Sequence, residues 1–107
     1  MVELTMTAQE GLQMTGRWLM KAVGILDKYD SWRHNDHVSF KLNCVEWTAY
    51  TTAGRGKKSG ITYLHIYRPV QVRVVDTDGR DTGMRFDDVK HLRGKASDPI
   101  SSYVWIN

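Results

Sequence analysis

Alternating apolar and polar residues predict β-strands at the start and in the middle of the chain. Residues 2–6 alternate with a period of two, which is typical of a short strand, and we expect this strand to lie at a sheet edge. Residues 38–44 alternate cleanly, but from Val45 the apolar positions continue on the other parity. Because a slip of one residue moves every later side chain to the other face, we expect a β-bulge or a sharp bend here. Cys44 ends the first run and is therefore expected on the buried face.

A capping signal followed by a helical repeat predicts one long helix over residues 8–29. Thr7 and Glu10 have the spacing of a capping box, in which each side chain accepts from the backbone N–H of the other residue. The apolar residues that follow form one stripe: Leu12, Leu19, Val23 and Leu26. Three glycines weaken this helix by up to about 1 kcal/mol each relative to alanine, so we expect it to need a sheet to pack on.

Turn-forming residues mark the strands of the second half. The glycine-rich residues 52–60 predict an exposed loop, and a strand over residues 61–67 follows it. Pro69 lacks an N–H, so we expect it to break the strand or to lie at a sheet edge. The pair Asp78-Gly79 is typical of a tight hairpin turn.

After the hairpin the sequence predicts a short helical turn, a loop and a final strand. Asp87 can cap a short helical turn that ends at Leu92. Residues 93–99 are polar and predict a second loop. Residues 100–106 are rich in β-branched and aromatic side chains and predict the last strand.

These elements predict a single α+β domain over residues 1–107. The N-terminal helix would pack on a five- or six-stranded, strongly bent antiparallel sheet, and the order of the last strands is compatible with an SH3-like barrel. The expected core consists of the apolar residues that share the inward parity or stripe: Leu12, Leu19, Val23, Leu26, Val38, Phe40, Leu42, Leu64, Ile66, Val72, Val74, Phe86, Val89, Leu92, Val104 and Ile106.

Charge, cysteine content and the absence of a long apolar run indicate the cellular compartment of the protein. The chain of 107 residues has a net charge of +3, made of −1 over residues 1–53 and +4 over residues 54–107. The single cysteine cannot form an internal disulfide, and no secretory signal or membrane-spanning apolar run is visible. We therefore expect a cytoplasmic protein that does not enter membranes.

No motif of the sequence indicates catalysis, a cofactor or a metal site. The signatures of nucleophile elbows, phosphate loops, dinucleotide-binding turns and zinc proteases are absent. His34 and His37 could face one metal ion on a helical turn, but His65, His91 and Cys44 follow at no recognised ligand spacing. We expect a non-enzymatic protein without cofactor or metal.

A protein-binding surface is the first functional hypothesis. Tryptophan, tyrosine, methionine and arginine are enriched at interface cores, and the chain has four Trp, five Tyr and five Met. The long helix has room to expose Trp18, Met14 and Met20, and Trp32 follows it. Such a module would act as a regulator, inhibitor or assembly adaptor through its helix or a sheet edge, and a sheet edge could also pair with a second copy.

A basic and aromatic surface is the alternative hypothesis. Phosphates attract cations along a groove, and unpaired bases stack on aromatic rings. The candidate cations are Arg55, Lys57 and Lys58 on the first loop, Arg93 and Lys95 on the second, and Arg33 beside Trp32. The candidate aromatic residues are Tyr50, Tyr63, Tyr67 and Trp105. This small nucleic-acid-binding barrel would use the basic loops 55–58 and 93–95, and it requires Tyr63 and Tyr67 to face away from the helix.

Overall fold

The computed structural model describes residues 1–25 and 37–106. In this part of the chain it has two short α-helices, α1 (Ala8–Gln13) and α2 (Gly16–Val23). The strands are β1 (Val2–Leu4), β2 (Val38–Leu42), β3 (Val45–Ala53), β4 (Thr62–Val75), β5 (Asp81–Lys95) and β6 (Val104–Trp105). Single 3₁₀ turns lie at Gly56–Lys58 and Ile100–Ser102.

The strands form one open sheet in sequence order, with β1 and β6 at its edges. The predicted edge position of the first strand is therefore confirmed, and the arrangement is consistent with the α+β class. Two expectations need correction. The sheet is mixed, because β1 runs parallel to β2 while the other neighbours are antiparallel. It is also not closed among the described strands, so the SH3-like barrel is not confirmed.

The capping box at the first helix is confirmed. The backbone N–H of Glu10 donates to the Thr7 hydroxyl at 3.1 Å, and the Thr7 N–H donates to the Glu10 carboxylate at 3.0 Å. Two of the orphan N–H groups at the helix start are satisfied in this way.

The single helix predicted over residues 8–29 is wrong. The chain is extended at Met14 (ψ 125°), and Thr15 caps a new helix by accepting from the Trp18 N–H at 3.1 Å. A threonine hydroxyl competes with helical hydrogen bonds and favours a helix start over a helix interior, which explains the break. The second helix ends at Gly24, whose φ of 90° is left-handed. Residues 26–29 of the predicted helix lie outside the described residues.

The slip in alternation is a hairpin turn, not the predicted bulge or bend. Asn43 and Cys44 both have positive φ, 49° and 67°, as a two-residue turn between antiparallel strands requires. The Cys44 side chain is consequently exposed instead of buried. The Asn43 side chain bonds both the N–H and the carbonyl of Met6, which fixes the end of β1 beside this turn.

Strands β4 and β5 extend beyond the rest of the sheet as a two-stranded arm. β4 pairs with β3 only from Thr62 to Tyr67, whereas its pairing with β5 continues to Val75. We call residues 68–90 the ribbon. Pro69 does not break β4; its missing N–H falls on the free edge of the ribbon, as the prediction of an edge position allowed.

The predicted hairpin turn at the ribbon tip is confirmed. Gly79 has a φ of 80°, and the Asp76 carboxylate accepts from the N–H groups of Asp78 and Arg80 at 2.9 Å each. The helical turn predicted over residues 87–92 is wrong, because these residues lie inside β5 and pair with β4. A single turn satisfies fewer backbone groups than a strand with a long partner, so the ladder prevails.

The core lies between α2 and the sheet. Its buried members include Leu19, Met20, Val23, Phe40, Ala49, Leu64 and Ile66, and Val38, Leu42 and Leu92 pack against them. Five predicted core residues are exposed: Leu12, Phe86, Val89, Val104 and Ile106. Leu12 lies on α1, which buries no residue, and Phe86 and Val89 lie on the ribbon, which extends past the helices. Val72 and Val74 are half-buried on the ribbon, and Leu26 lies outside the described residues.

Tyr103 fastens the C-terminal segment to β5 and α2. Its hydroxyl donates to the Lys95 carbonyl at 2.7 Å, and burial raises its pKa. Its ring lies against Gly94, and its hydroxyl against Gly16, where a Cβ atom would overlap the tyrosine in both cases. The strand predicted over residues 100–106 is therefore a 3₁₀ turn, this buried tyrosine and a two-residue strand.

Candidate functional site

The sheet has one face toward the helix and one face away from it. Leu64 and Ile66 belong to the core cluster with the residues of α2. Because successive strand residues alternate between faces, Tyr63, His65 and Tyr67 lie on the opposite face. The requirement that Tyr63 and Tyr67 face away from the helix is therefore met.

Strand register assembles three rows of side chains on this opposite face. The rows across β3, β4 and β5 are Thr48–Tyr67–His91, Tyr50–His65–Arg93 and Thr52–Tyr63–Lys95. His37, which precedes β2, adds a further ring beside Tyr50. We call these ten residues the ring face. They comprise three tyrosines, three histidines, two threonines and two cations, and none of them is acidic.

The rings contact one another across the strands. The centroids of His37 and Tyr50 lie 4.5 Å apart and those of Tyr50 and His65 lie 4.4 Å apart, both in stacked geometry. Tyr67 approaches the stack edge-on, 5.8 Å from His37 and 6.0 Å from Tyr50. Its hydroxyl also lies 3.0 Å from Nδ1 of His37. These separations are those of favourable aromatic pairs, so the face is held in a defined arrangement.

A chain of hydrogen bonds runs through the two inner histidines. The Thr52 hydroxyl lies 2.8 Å from Nε2 of His65, and Nδ1 of His65 lies 3.0 Å from Nε2 of His91. One imidazole must donate and the other accept, so the bond excludes double protonation. Burial, with the charges of His91 and Arg93 added, lowers the pKa of His65 to about 4. Burial and the Arg93 charge also lower the pKa of His91.

The lowered pKa values of His65 and His91 leave arginine and lysine as the positive charges beside Tyr63. The guanidinium of Arg93 lies 4.4 Å from the centroid of the Tyr63 ring, and the ammonium of Lys58 lies 5.9 Å from the same ring. Cations at these distances are attracted by the ring electrons. Lys58 and Arg93, from the two predicted basic segments and 35 positions apart in the chain, thus meet at one tyrosine.

The basic residues gather at the Tyr63 end of the ring face, where Lys58 and Arg93 contact the ring, and Arg55 and Lys57 lie on the same loop as Lys58. Arg55, Lys57, Lys58 and Lys95 are exposed, and Arg93 is half-buried. We call these five residues the basic rim. Arg93 and Lys95 belong to β5 and not to a loop as predicted, because the ladder with β4 continues to Lys95. Arg33 lies outside the described residues.

The aromatic candidates divide between different environments. Tyr63 is buried beneath Lys58 and Arg93, whereas Tyr50 and Tyr67 are half-buried and reachable from solvent. Trp105 is 57% exposed, but it pairs with Leu92 and so belongs to the other side of the sheet. His37 and His65 both stack on the Tyr50 ring, so base-stacking capacity rests on Tyr67 with His37 and His91.

The candidate protein-binding residues are mostly buried. Trp18 is 49% exposed as expected, but Met14 and Met20 lie in the core with 8% and 1% exposure. The expectation that these methionines are exposed is wrong, because the stripe of α2 that faces the sheet includes Met20 and the break before Thr15 turns Met14 inward. Trp32 lies outside the described residues. Trp18 lines an open groove of about 510 Å³ together with Met6, Glu10 and Met14.

The sequence pattern shows no connection between the histidines, but the structure brings His37, His65 and His91 together on the ring face. The signal that could have found them is the run Tyr63, His65 and Tyr67, whose polar rings share one parity opposite Leu64 and Ile66. The partners of these rings on β3 and β5 depend on register, which local pattern does not give.

No protein-family model, curated protein or solved structure matches the chain. Within residues 1–25 and 37–106, no cluster of three or more histidine, cysteine or carboxylate side chains could hold a metal ion. None of the helices in that part of the chain has the length and apolar character needed to cross a membrane.

Proposed function

We propose that this protein binds single-stranded nucleic acid on the ring face, with the phosphates along the basic rim. The observation that carries the proposal is the convergence of Lys58 and Arg93 on Tyr63, at the edge of the ring face. None of the ten ring-face residues is acidic, and Glu46, on the same side of β3, lies at the opposite end of that strand, beside the Asn43–Cys44 turn. It acts as a binding protein rather than an enzyme. Its exposed free thiol, Cys44, suits a reducing compartment such as the cytoplasm.

The two parts of the surface supply two different contributions. Bases that stack on aromatic side chains contribute about 1–3 kcal/mol each, and they do so with little sequence preference. Sheet faces with aromatic residues on central strands hold about two or three bases. Only unpaired bases offer their faces to such rings, so the geometry favours single strands over duplexes.

The test is fluorescence anisotropy of labelled single-stranded oligonucleotides, titrated at about 50 mM and about 200 mM salt. The variant Arg55→Ala/Lys57→Ala/Lys58→Ala removes three charges of the basic rim. If each contacts a phosphate, the slope of log affinity against log salt becomes shallower by about 2, since each contact to a single strand contributes about 0.7.

The matched control removes the same charge from the ribbon, as Arg73→Ala/Arg80→Ala/Lys90→Ala. These residues lie outside the ring face, so both affinity and salt slope should stay close to the unaltered protein. If the two triple variants lowered oligonucleotide affinity equally, the binding would depend on net charge alone, and the proposed site would be wrong. Flat titrations of the unaltered protein at both salt concentrations would refute the proposal.

Protein binding remains a second candidate, supported by the groove at Trp18. A half-exposed tryptophan in a groove of about 510 Å³ is typical of a site that accepts an apolar side chain of a partner. In this role the protein would be a regulator, inhibitor or assembly adaptor. Trp18→Ala should abolish such a contact and leave oligonucleotide affinity unchanged, whereas the basic-rim variant should do the reverse.

A further inference from the structure

The outer edge of β5 in the ribbon has no neighbouring strand among the described residues. β6 pairs only with Leu92 and Arg93, so β5 from Asp81 to Lys90 has β4 on one side and, within residues 1–25 and 37–106, no strand on the other. All ten residues are exposed. A long free edge normally carries protection against pairing with another chain. The free edge of β4 has Pro69 for this purpose, and the middle of the β5 edge has no proline.

The direction of the backbone groups on this edge is known. The Ile106 N–H donates to the His91 carbonyl, so His91 faces the β6 side of β5. Backbone direction alternates along a strand, and Val89, Asp87 and Arg85 therefore also present N–H and C=O to the free edge. The Val89 N–H is already bonded to the Asp88 carboxylate at 2.8 Å, and the Gly83 N–H is bonded to the Asp81 carboxylate at 2.9 Å. These two side-chain contacts bracket a short free segment around Phe86.

Charge selects one register for pairing this segment with its own copy. Antiparallel pairing through the edge-facing residues allows a two-fold axis at Arg85, Phe86 or Asp87. An axis at Arg85 places arginine opposite arginine, and an axis at Asp87 places aspartate opposite aspartate; both are unfavourable. An axis at Phe86 places Arg85 opposite Asp87 of the other copy twice, with the backbone groups of both residues in hydrogen-bonding position. Within its own chain the Arg85 guanidinium already donates to both carboxylate oxygens of Asp81 at 2.9 Å, so in the dimer it would bridge Asp81 and Asp87 of the other copy.

The apolar side chains agree with the same register. An axis at Phe86 places the two Phe86 rings in a pair without backbone hydrogen bonds, the type in which side chains approach most closely. Phe86 is 51% exposed and lies beside Val72, so the second ring would cover apolar surface that the monomer leaves in water. The backbone, the charges and the apolar side chains therefore favour the same partner, a second copy of this chain.

We propose that two copies of the protein pair through β5, antiparallel and in register about Phe86, to form a four-stranded ribbon. The segment is short, so the dimer is weak and transient. Residues opposite one another in a sheet share a face, so the two ring faces would lie on the same side of the dimer. The pairing does not depend on nucleic-acid binding and is tested without nucleic acid.

The first test exchanges charge across the axis and measures mass by sedimentation velocity, from about 5 µM to about 500 µM protein. Arg85→Glu places glutamate opposite Asp87 of the other copy, and Asp87→Arg places arginine opposite Arg85. The dimer dissociation constant of each variant alone should rise about tenfold or more. An equimolar mixture of the two should form a heterodimer, because both pairs of positions 85 and 87 across the axis then have opposite charges. Arg73→Glu, on β4, makes the same change of charge and also removes an ion pair with Asp81, but it lies away from the β5 edge and should leave dimerisation unaltered.

A second test reads the register directly and does not rely on charge. In a Cys44→Ser background, Phe86→Cys should form an intermolecular disulfide under mild oxidation, because residues paired at the axis have Cα atoms about 4.5 Å apart. Met84→Cys is the control, because its two copies would lie about 14 Å apart along the strands. A monomer at every concentration, a dimer indifferent to both charge reversals, or equal cross-linking at the two positions would each overturn the proposal.

Discussion

Acid should destabilise the fold between pH 6.5 and pH 4 through His65. This side chain is only 7% exposed, and burial, with the charges of His91 and Arg93 added, lowers its pKa from 6.5 to about 4. The unfolded chain therefore binds a proton at His65 near pH 6.5, whereas the folded protein binds it only near pH 4. The contribution of neutral His65 to stability is complete above pH 6.5 and is lost as the pH falls toward 4.

The magnitude follows from the size of the shift. A difference of about 2.5 pH units at 1.36 kcal/mol per unit corresponds to a loss of about 3 kcal/mol of unfolding free energy at pH 4. The groups facing His65 are Thr52, Tyr50, His91 and Arg93. The lowered pKa of His91 adds a loss in the same direction.

Urea unfolding at a series of pH values from about 7.5 to about 4 measures this loss, with His65→Gln as the control. Glutamine keeps a donor and an acceptor but does not titrate, so the variant should lose clearly less stability on acidification. The difference between the two proteins isolates His65 from the carboxylates that titrate at the lower end. Equal pH dependence of the two proteins, or an NMR titration that places the His65 pKa near 6.5, would refute this account of the ring face.

Three further predictions concern the fold and are each measured as a change in unfolding free energy. Gly94→Ala should destabilise by about 1–3 kcal/mol, because the new methyl group overlaps the Tyr103 ring; Gly11→Ala, where the methyl group meets only the Met6 sulfur at 3.8 Å and no left-handed φ adds strain, is its control and should not destabilise. Tyr103→Phe should cost about 1–2 kcal/mol, since the hydrogen bond to the Lys95 carbonyl is lost in a buried position. Thr15→Ala should cost about 1 kcal/mol through loss of the α2 cap, and a cost equal to that of Thr5→Ala would show that this hydroxyl does not act as a cap.

The local sequence pattern predicted the structure correctly where one short-range interaction determines the backbone conformation. The capping box at Thr7 and Glu10, the turn at Gly79 and the alternation of β2 all depend on residues within a few positions of one another. The same reasoning failed where two local interactions compete. Thr15 can lie inside a helix or cap one, and only the packing of Met14 and Gly16 against the C-terminal segment selects the cap.

Long-range pairing explains the other errors. The residues after Asp87 have the polar pattern of a capped turn, but fourteen residues of β4 lie alongside and impose a strand. The same extension takes Phe86 away from the core that its hydrophobicity predicted. Apolar and polar residues alternate in the ribbon just as they do in the covered part of the sheet. The alternation therefore does not show where the two strands extend beyond the core.

The sequence predicts which residues of the candidate site are basic, but it does not predict how strand pairing brings them together. The basic segments were identified from composition, because clustered lysines and arginines beside glycines are visible in the sequence. Their convergence on Tyr63, and the contact of His65 with His91, follow from the registers of β3, β4 and β5. Those registers are set by the core on the other face of the sheet, which positions the ring-face side chains although it does not contact them.

The most direct test of the account is NMR mapping of an oligothymidine onto the protein. Binding on the ring face should shift the backbone and side-chain signals of Tyr50, Tyr67, His91 and Arg93 in a saturable manner, and leave those of Trp18 and the ribbon tip unchanged. Shifts confined to Trp18 and the residues of its groove, or no shifts at all at millimolar oligonucleotide, would contradict the assignment of this face as a single-strand binding surface.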